Sequence, residues 1–210
     1  MEPFIKSDQY NFIRKQTETI LSSYNTVNDT AVLNAVCSIS QEKVLNLFPN
    51  ITDNQKQLLM PILDIKNPGN AEEYLSAIKP YVIPFKDISE ATIKKLFPKM
   101  KKLKVPKLEL DYLETTYIHW HDKGSNKNFM IVPLHTKQIG VIGTFTPANK
   151  KGICTICNKI EEVGMFISEK KGSVPGTFVK KGNYICKDPM KCNKNLTSLD
   201  KLHEFVTLLN

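Results

Sequence analysis

Four of the chain's five cysteines fall between residues 154 and 192, in two close pairs: Cys154 and Cys157 in "GICTICNKI", then Cys186 and Cys192 in "NYICKDPMKCN". The spacing is C-x2-C, twenty-eight residues, then C-x5-C. A disulfide framework belongs to an oxidising compartment. The first residues, "MEPFIKSDQY", lack the basic stretch and apolar run of a secretion signal. A thioredoxin-like site needs one C-x-x-C and has no use for a second pair. A zinc ion takes four tetrahedral ligands and accounts for all four sulfurs. A set of four cysteines leaves no position open for water, so the metal it holds is structural. Cys154 and Cys157 are expected on a knuckle after Gly152, Cys186 at the end of a strand, and Cys192 just before the final helix. That arrangement is a treble clef.

Size gives the metal a reason to be there. A segment such as 150–210 rarely buries enough apolar area to stand alone. Zinc bound by thiolates contributes on the order of 10–16 kcal/mol in small zinc peptides, and that energy becomes folding energy. Cys37 lies apart, beside Val36 in a helical segment, and reads as a small buried hydrophobe.

The first 80 residues read as four short helices joined by short links, an antiparallel bundle. The first, "SDQYNFIRKQTETILSSY", opens at a Ser7 or Asp8 cap and repeats Tyr10, Ile13, Thr17, Ile20, Leu21 and Tyr24 at helical spacing. The second follows an Asn/Asp/Thr cap, with Val32, Val36, Ile39, Val44 and Leu47 as its apolar face. Pro61 shortens or kinks the third, because proline lacks the donor a helix interior needs. The fourth opens near "NPGN" and stops near Pro80. One more short helix is expected from Ser89 to about Phe97, then a basic run ending before Pro106.

After that the pattern changes. "LDYLETTYIHWHD", "NKNFMIVPLH" and "QIGVIGTFTP" are rich in β-branched and aromatic residues and are separated by turn chemistry. They predict antiparallel strands, with two more in "VGMFISE" and "GTFVKKGNYIC". A last helix is expected from about Leu196 to Leu209, with Leu199, Leu202, Phe205, Val206 and Leu209 on one face. The fold class is therefore α+β with two domains: a helical bundle over 1–82, and an α/β domain over 83–210 that includes the zinc finger at 150–210.

Charge divides the chain in the same place. Residues 1–85 carry seven Lys/Arg against nine Asp/Glu, a net of −2; residues 86–210 carry twenty-two against twelve, a net of +10. The second region suits an acidic partner: RNA, the ribosome or an acidic protein. One reading of the lysines near the cysteines is that they stabilise the metal centre itself, since four thiolates and one Zn²⁺ carry a formal charge of −2; the other is that they face a partner. The stretch "VKKGNY", expected on a turn before Cys186, offers Lys180, Lys181 and Tyr184 to a partner.

Enzyme motifs are missing. No Walker A loop, G-x-G-x-x-G, G-x-S-x-G or H-E-x-x-H is present. His119 and His121 flank Trp120 and would share a strand face, but they lack an obvious third ligand and read as a hydrogen-bonded or solvated pair. No apolar run reaches the ~18 residues of a membrane span. The expectation is a cytoplasmic monomer that is not an enzyme, takes no small-molecule substrate and does not enter a membrane.

With these motifs in place, the chain resembles the FusB-type elongation factor G-binding proteins associated with fusidic acid resistance. The resemblance runs nearly end to end, through "QYNFIRK", "TVND", "KKLKVP" and "SNKNFMIV". It is most specific in "KGICTICNK", "FVKKGNYICKD" and "CNKNLT". It implies a helical N-terminal domain, a C-terminal treble-clef domain with Cys154, Cys157, Cys186 and Cys192 as zinc ligands, and elongation factor G as partner. In the family the protein helps release that factor from ribosomes stalled by fusidic acid; the ribosome is an indirect partner and the drug is not modified. The matching contact positions are Lys181, Tyr184 and Phe205, together with Ile153, where a family member has Phe. Phe205 also belongs to the apolar face of the last helix. The alternative reading is an RNA- or ribosome-binding zinc module that acts in translation or ribosome recycling.

Overall fold

The computed structural model describes residues 1–100, 103 and 110–209. Apart from Leu103, the basic run "KKLKVP" lies outside the described residues. The chain divides into two compact units, Met1–Ile83 and Pro84–Asn210.

The first unit is helical. Helix α1 (Ser7–Thr26) starts one residue before the expected caps: the Gln9 side-chain carbonyl accepts from the Lys6 N–H at 2.9 Å. After three linking residues, α2 (Thr30–Leu45) begins at Asp29, whose carboxylate accepts from the N–H groups of Ala31 and Val32. Its buried stripe is Cys37, Ser40 and Val44, whereas Val32 and Ile39, expected to face inward, are exposed. The apolar residues of this helix do not all fall on one 3.6-residue stripe, and packing against α1 selected the row that includes Cys37 and Ser40. Cys37 is buried, as its sequence setting indicated.

Pro61 has the expected effect. Helix α3 (Asp53–Leu59) stops before it, and Met60–Asp64 continues as a 3-10 turn. Asn67 caps α4 (Pro68–Ile78), accepting from the Asn70 N–H at 3.0 Å. The chain ends of the unit are zipped together: Phe4 and Ile5 N–H donate to the Tyr81 carbonyl, and Ile83 N–H donates to Ile5 O. Ile5, Ile13, Ile20, Val44, Leu59, Ile62 and Ile78 are fully buried.

The second unit is built on a five-stranded antiparallel meander in the order β1-β2-β3-β4-β5. Its strands are β1 (Ile118–Asp122), β2 (Lys127–Leu134), β3 (Lys137–Ile153), β4 (Ile160–Lys171) and β5 (Phe178–Cys186). Strand β1 begins later than expected. Residues 111–115 form a turn around Asp111, whose carboxylate accepts from the Leu113 N–H while its carbonyl accepts from the Thr115 hydroxyl; such local bonds compete with a ladder. The long strand β3 changes partner midway: residues 137–143 pair with β2, and 144–153 pair with β4. Gly143 sits at the changeover, where a Cβ would lie 2.6 Å from the Ile167 carbonyl.

Alternation along the strands gives the sheet two buried faces. On one, Met130, Val132, Val141, Phe166 and Ile185 pack with the four cysteines and with Leu202, Phe205, Val206 and Leu209 of the last helix, α7 (Asp200–Leu209). On the other, Ile118, Trp120, Phe129 and Ile131 pack with Ile93 and Phe97, from and beside α5 (Glu90–Leu96). The expected last helix is thus two elements. Helix α6 (Pro189–Asn195) carries Cys192, and α7 starts only at Asp200, whose N–H donates to the Ser198 hydroxyl. The intervening Leu196 is buried but extended, because Asn193 and the end of α6 fix the chain direction there.

Candidate metal centre and docking surface

The zinc knuckle is a tight turn between β3 and β4. Cys154 N–H donates to Lys159 O and Asn158 N–H to Cys154 O, both at 2.9 Å. Asn158 takes a left-handed φ of 54°, a conformation that asparagine tolerates. Cys186 ends β5, and its N–H points at the Cys154 sulfur, 3.3 Å away. Cys192 lies on α6, whose N-terminus is capped by Asp188 accepting from Met190 and Lys191.

Four sulfurs meet between these elements. Cys154 Sγ lies 3.8 Å from Cys192 Sγ, and Cys157 Sγ lies 3.6 Å from Cys186 Sγ. All four ligand atoms fall within 4.8 Å of one another and all four residues are buried. A tetrahedron with Zn–S bonds of ~2.3 Å has edges of about 3.8 Å, so the set matches a zinc ion. Electrostatics point the same way. Hydrogen bonds from Cys157, Cys186 and Cys192 hold the Cys154 thiol far below its ordinary range, while bonds to Cys154 and Cys157 push Cys186 far above it. Without a cation the cluster cannot ionise all its members; a divalent ion is what lets four thiolates coexist. This is a site for one structural zinc. Among the described residues no other group of His, Cys, Asp and Glu has metal-ligand geometry.

Two side chains that sequence reasoning did not single out brace the centre. Asn193, next to Cys192, is 3% exposed and joins α6 to the chain just before β1. Tyr117 is 1% exposed and packs in the same buried cluster as the four thiols. A polar residue in a short helix carries no sequence signal of such a role.

The expected contact residues are distributed unevenly. Lys180, Lys181 and Tyr184 lie within β5 and not on a turn. Gly182, within that stretch, is a point of close approach: a Cβ there would collide with the Phe166 carbonyl. The actual β4–β5 turn spans 172–177, with Gly176 at φ 84°. Lys180 pairs with Glu169 at 3.2 Å. Tyr184 is partly exposed, and its carbonyl accepts from the Thr155 N–H of the knuckle at 2.9 Å, tying the tyrosine's backbone to the metal loop. Ile153 is exposed beside the knuckle and is paired across β3–β4 with Ile160, which is also exposed. Phe205 is 1% exposed, with its ring 6.0 Å from that of Phe166, which is the core position its helical spacing allowed.

His119 and His121 do not act together. His119 is buried, with Nε2 3.2 Å from Asn128 Oδ1, whereas the exposed His121 meets Asn126. Burial lowers the His119 pKa to about 4.

A four-cysteine treble clef on an antiparallel sheet, in a chain with a separate helical unit, defines a class of zinc-finger binding protein. The family comparisons specify it. Residues 4–86 match the model "Elongation factor G-binding protein, N-terminal", and residues 92–206 match "FBP C-terminal treble-clef zinc-finger". The chain belongs to this FusB-type family of elongation factor G-binding proteins. It is similar to the solved "Structure of the fusidic acid resistance protein FusC", with a TM-score of 0.87 and 28% identity over 99% of this chain and 98% of that one. No curated protein matches the chain. No helix among the described residues is long and apolar enough to cross a membrane.

Proposed function

We propose that this chain is a non-enzymatic protein that docks on elongation factor G through its zinc-bearing unit and promotes release of that factor from ribosomes stalled by fusidic acid, giving resistance or tolerance. The observation that carries this reading is the pair of family matches, which together take in both units of the chain. Likeness to a fusidic acid resistance protein over nearly the whole length supports it.

In this reading the α/β domain, 83–210, is the docking module and the helical domain, 1–82, is a second module. Lys180, Lys181, Tyr184 and Ile153 make the contact. Phe205 supports the surface from beneath, by holding Phe166 under β4. Zinc makes the platform stiff, so little ordering entropy is lost on docking. Release needs more than attachment: the protein must bind one conformation of the factor better than another, since equal affinity for both shifts nothing. The protein works as a cytoplasmic monomer, meets the ribosome only through the factor, and takes no small-molecule substrate.

The test is a titration of purified elongation factor G, followed by sedimentation of fusidic acid-stalled ribosomes with and without the protein. A one-to-one complex and loss of the factor from the ribosomal pellet are expected. Absence of a complex at micromolar concentrations would overturn the reading. The net +10 of residues 86–210 favours one rival, a module that binds RNA or the ribosome directly. That rival predicts binding that falls steeply with salt and is lost on nuclease treatment.

A further inference from the structure

The zinc ligands all lie between residues 154 and 192, yet the hydrogen bonds that orient the fourth one reach outside that segment. Asn193 follows Cys192 on α6. Its Oδ1 accepts from the N–H groups of Thr116 at 2.7 Å and Tyr117 at 3.1 Å. Its Nδ2 donates to the carbonyls of Tyr117 and Pro189, both at 3.0 Å. Every position of the carboxamide is used, and the residue is buried. One side chain therefore fixes α6 at its own first turn, through Pro189, and to the backbone 76 residues upstream. Tyr117, held by two of these bonds, is packed in the same buried cluster as the four thiols. Helix α6 is also tied to β4, by Lys191 with Glu161 at 2.6 Å and Asn195 with Glu161 at 3.0 Å.

We propose that Asn193 and Tyr117 are positioning residues of the zinc centre, so that metal affinity depends on the backbone at 116–117 as well as on the finger. The ligand set alone explains which atoms bind; these two explain why Cys192 is already in place when the metal arrives. Partners that orient a metal ligand typically change affinity by about 10–100-fold when removed. The coupling also runs in reverse: whatever strengthens zinc through Asn193 is strengthened by zinc.

The experiment uses the full-length chain and zinc itself. Competition with a chromophoric chelator should show Asn193→Ala binding zinc about tenfold or more weakly than the parent, and Tyr117→Leu, which alters the packing against the thiols, weakened by a smaller factor, with circular dichroism reporting that each zinc-loaded variant is folded. A purely structural role for Asn193 would lower the melting temperature of loaded and stripped protein alike and leave affinity within about twofold; that result overturns the proposal. A second measurement needs no variant. Hydrogen exchange on the parent, before and after zinc removal, should show the Thr116 and Tyr117 amides losing protection, alone or with the rest of the sheet. Loss confined to 150–210, with those two amides still protected, overturns the proposal as well.

Discussion

Lys181 and Tyr184 point to opposite faces of β5. Lys181 is paired with the buried Ser168 and lines a hollow beside Leu209 of α7, whereas Tyr184 is paired with Met165 on the other side of the sheet. Three residues apart in a strand, they could not do otherwise. Strand β5 is the last in the sheet order, so a partner that touches both must straddle an edge.

That geometry makes the two contacts separable. Tyr184→Ala is expected to weaken the complex with elongation factor G by about tenfold or more, the loss typical of a truncated aromatic anchor. Lys181→Ala should weaken it less and mainly at low salt, as a rim charge does. Calorimetric titration of the double variant should give the sum of the two single effects, because the side chains share no neighbour across the sheet. A large interaction energy would mean that one partner group bridges both.

Ile153 offers a gain of function. It is 63% exposed and stands beside Ile160, 69% exposed, at the rim of the zinc knuckle. Ile153→Phe adds an aromatic face without disturbing the core and should tighten binding several-fold. An unchanged dissociation constant would remove the knuckle from the contact surface.

Phe205 should behave as a core residue. Truncating it to alanine is expected to cost about 3–5 kcal/mol, seen in urea unfolding of the zinc-loaded protein. Phe205→Leu should retain most of both stability and binding. Full stability in Phe205→Ala, with binding alone lost, would contradict the packing against Phe166.

His119 makes stability depend on pH. Burial lowers its folded pKa to about 4, below the ordinary 6.5. The proton therefore prefers the unfolded chain. The stability contribution is full above about pH 6.5 and is lost as pH falls towards 4. The shift corresponds to roughly 3 kcal/mol. Its Nδ1 is buried without a partner, consistent with a neutral ring whose Nε2–H donates to Asn128. Since acid also weakens zinc binding, the measurement is a difference: urea unfolding at about pH 7 and about pH 5, on either side of the ordinary histidine range, for the parent and for His119→Gln. The parent should lose more stability between the two values. Equal losses would place the acid sensitivity elsewhere.

Zinc removal should release one ion per chain and destabilise the second unit. The strands flanking the knuckle and α6 should lose amide protection first. Metal analysis alongside chelator-dependent melting checks both, and a chain that melts at the same temperature with and without metal would show that the sheet stands unaided.

The sequence by itself determined the chemistry of the metal centre and the kinds of elements around it. Four thiols at C-x2-C and C-x5-C match the ligand count of one structural zinc ion. Caps such as Asp29 and Asn67, and the break at Pro61, act within a few residues of themselves, so local pattern was enough to place those helices. Tertiary structure decided which of several candidate faces became buried. In α2 the row through Cys37 and Ser40 went inward because of what packs against it, leaving Val32 and Ile39 outside. The stretch "VKKGNY" read as a turn but lies within β5, where Gly182 allows close approach of a neighbouring strand, a need that only the neighbour imposes. Asn193 carried no signal at all, since its partners at Tyr117 lie 76 residues away and a hydrogen bond between distant segments leaves no periodicity in either. Short-range preference is written along the chain; a choice among faces, and a bond between remote segments, exists only once the whole unit has closed.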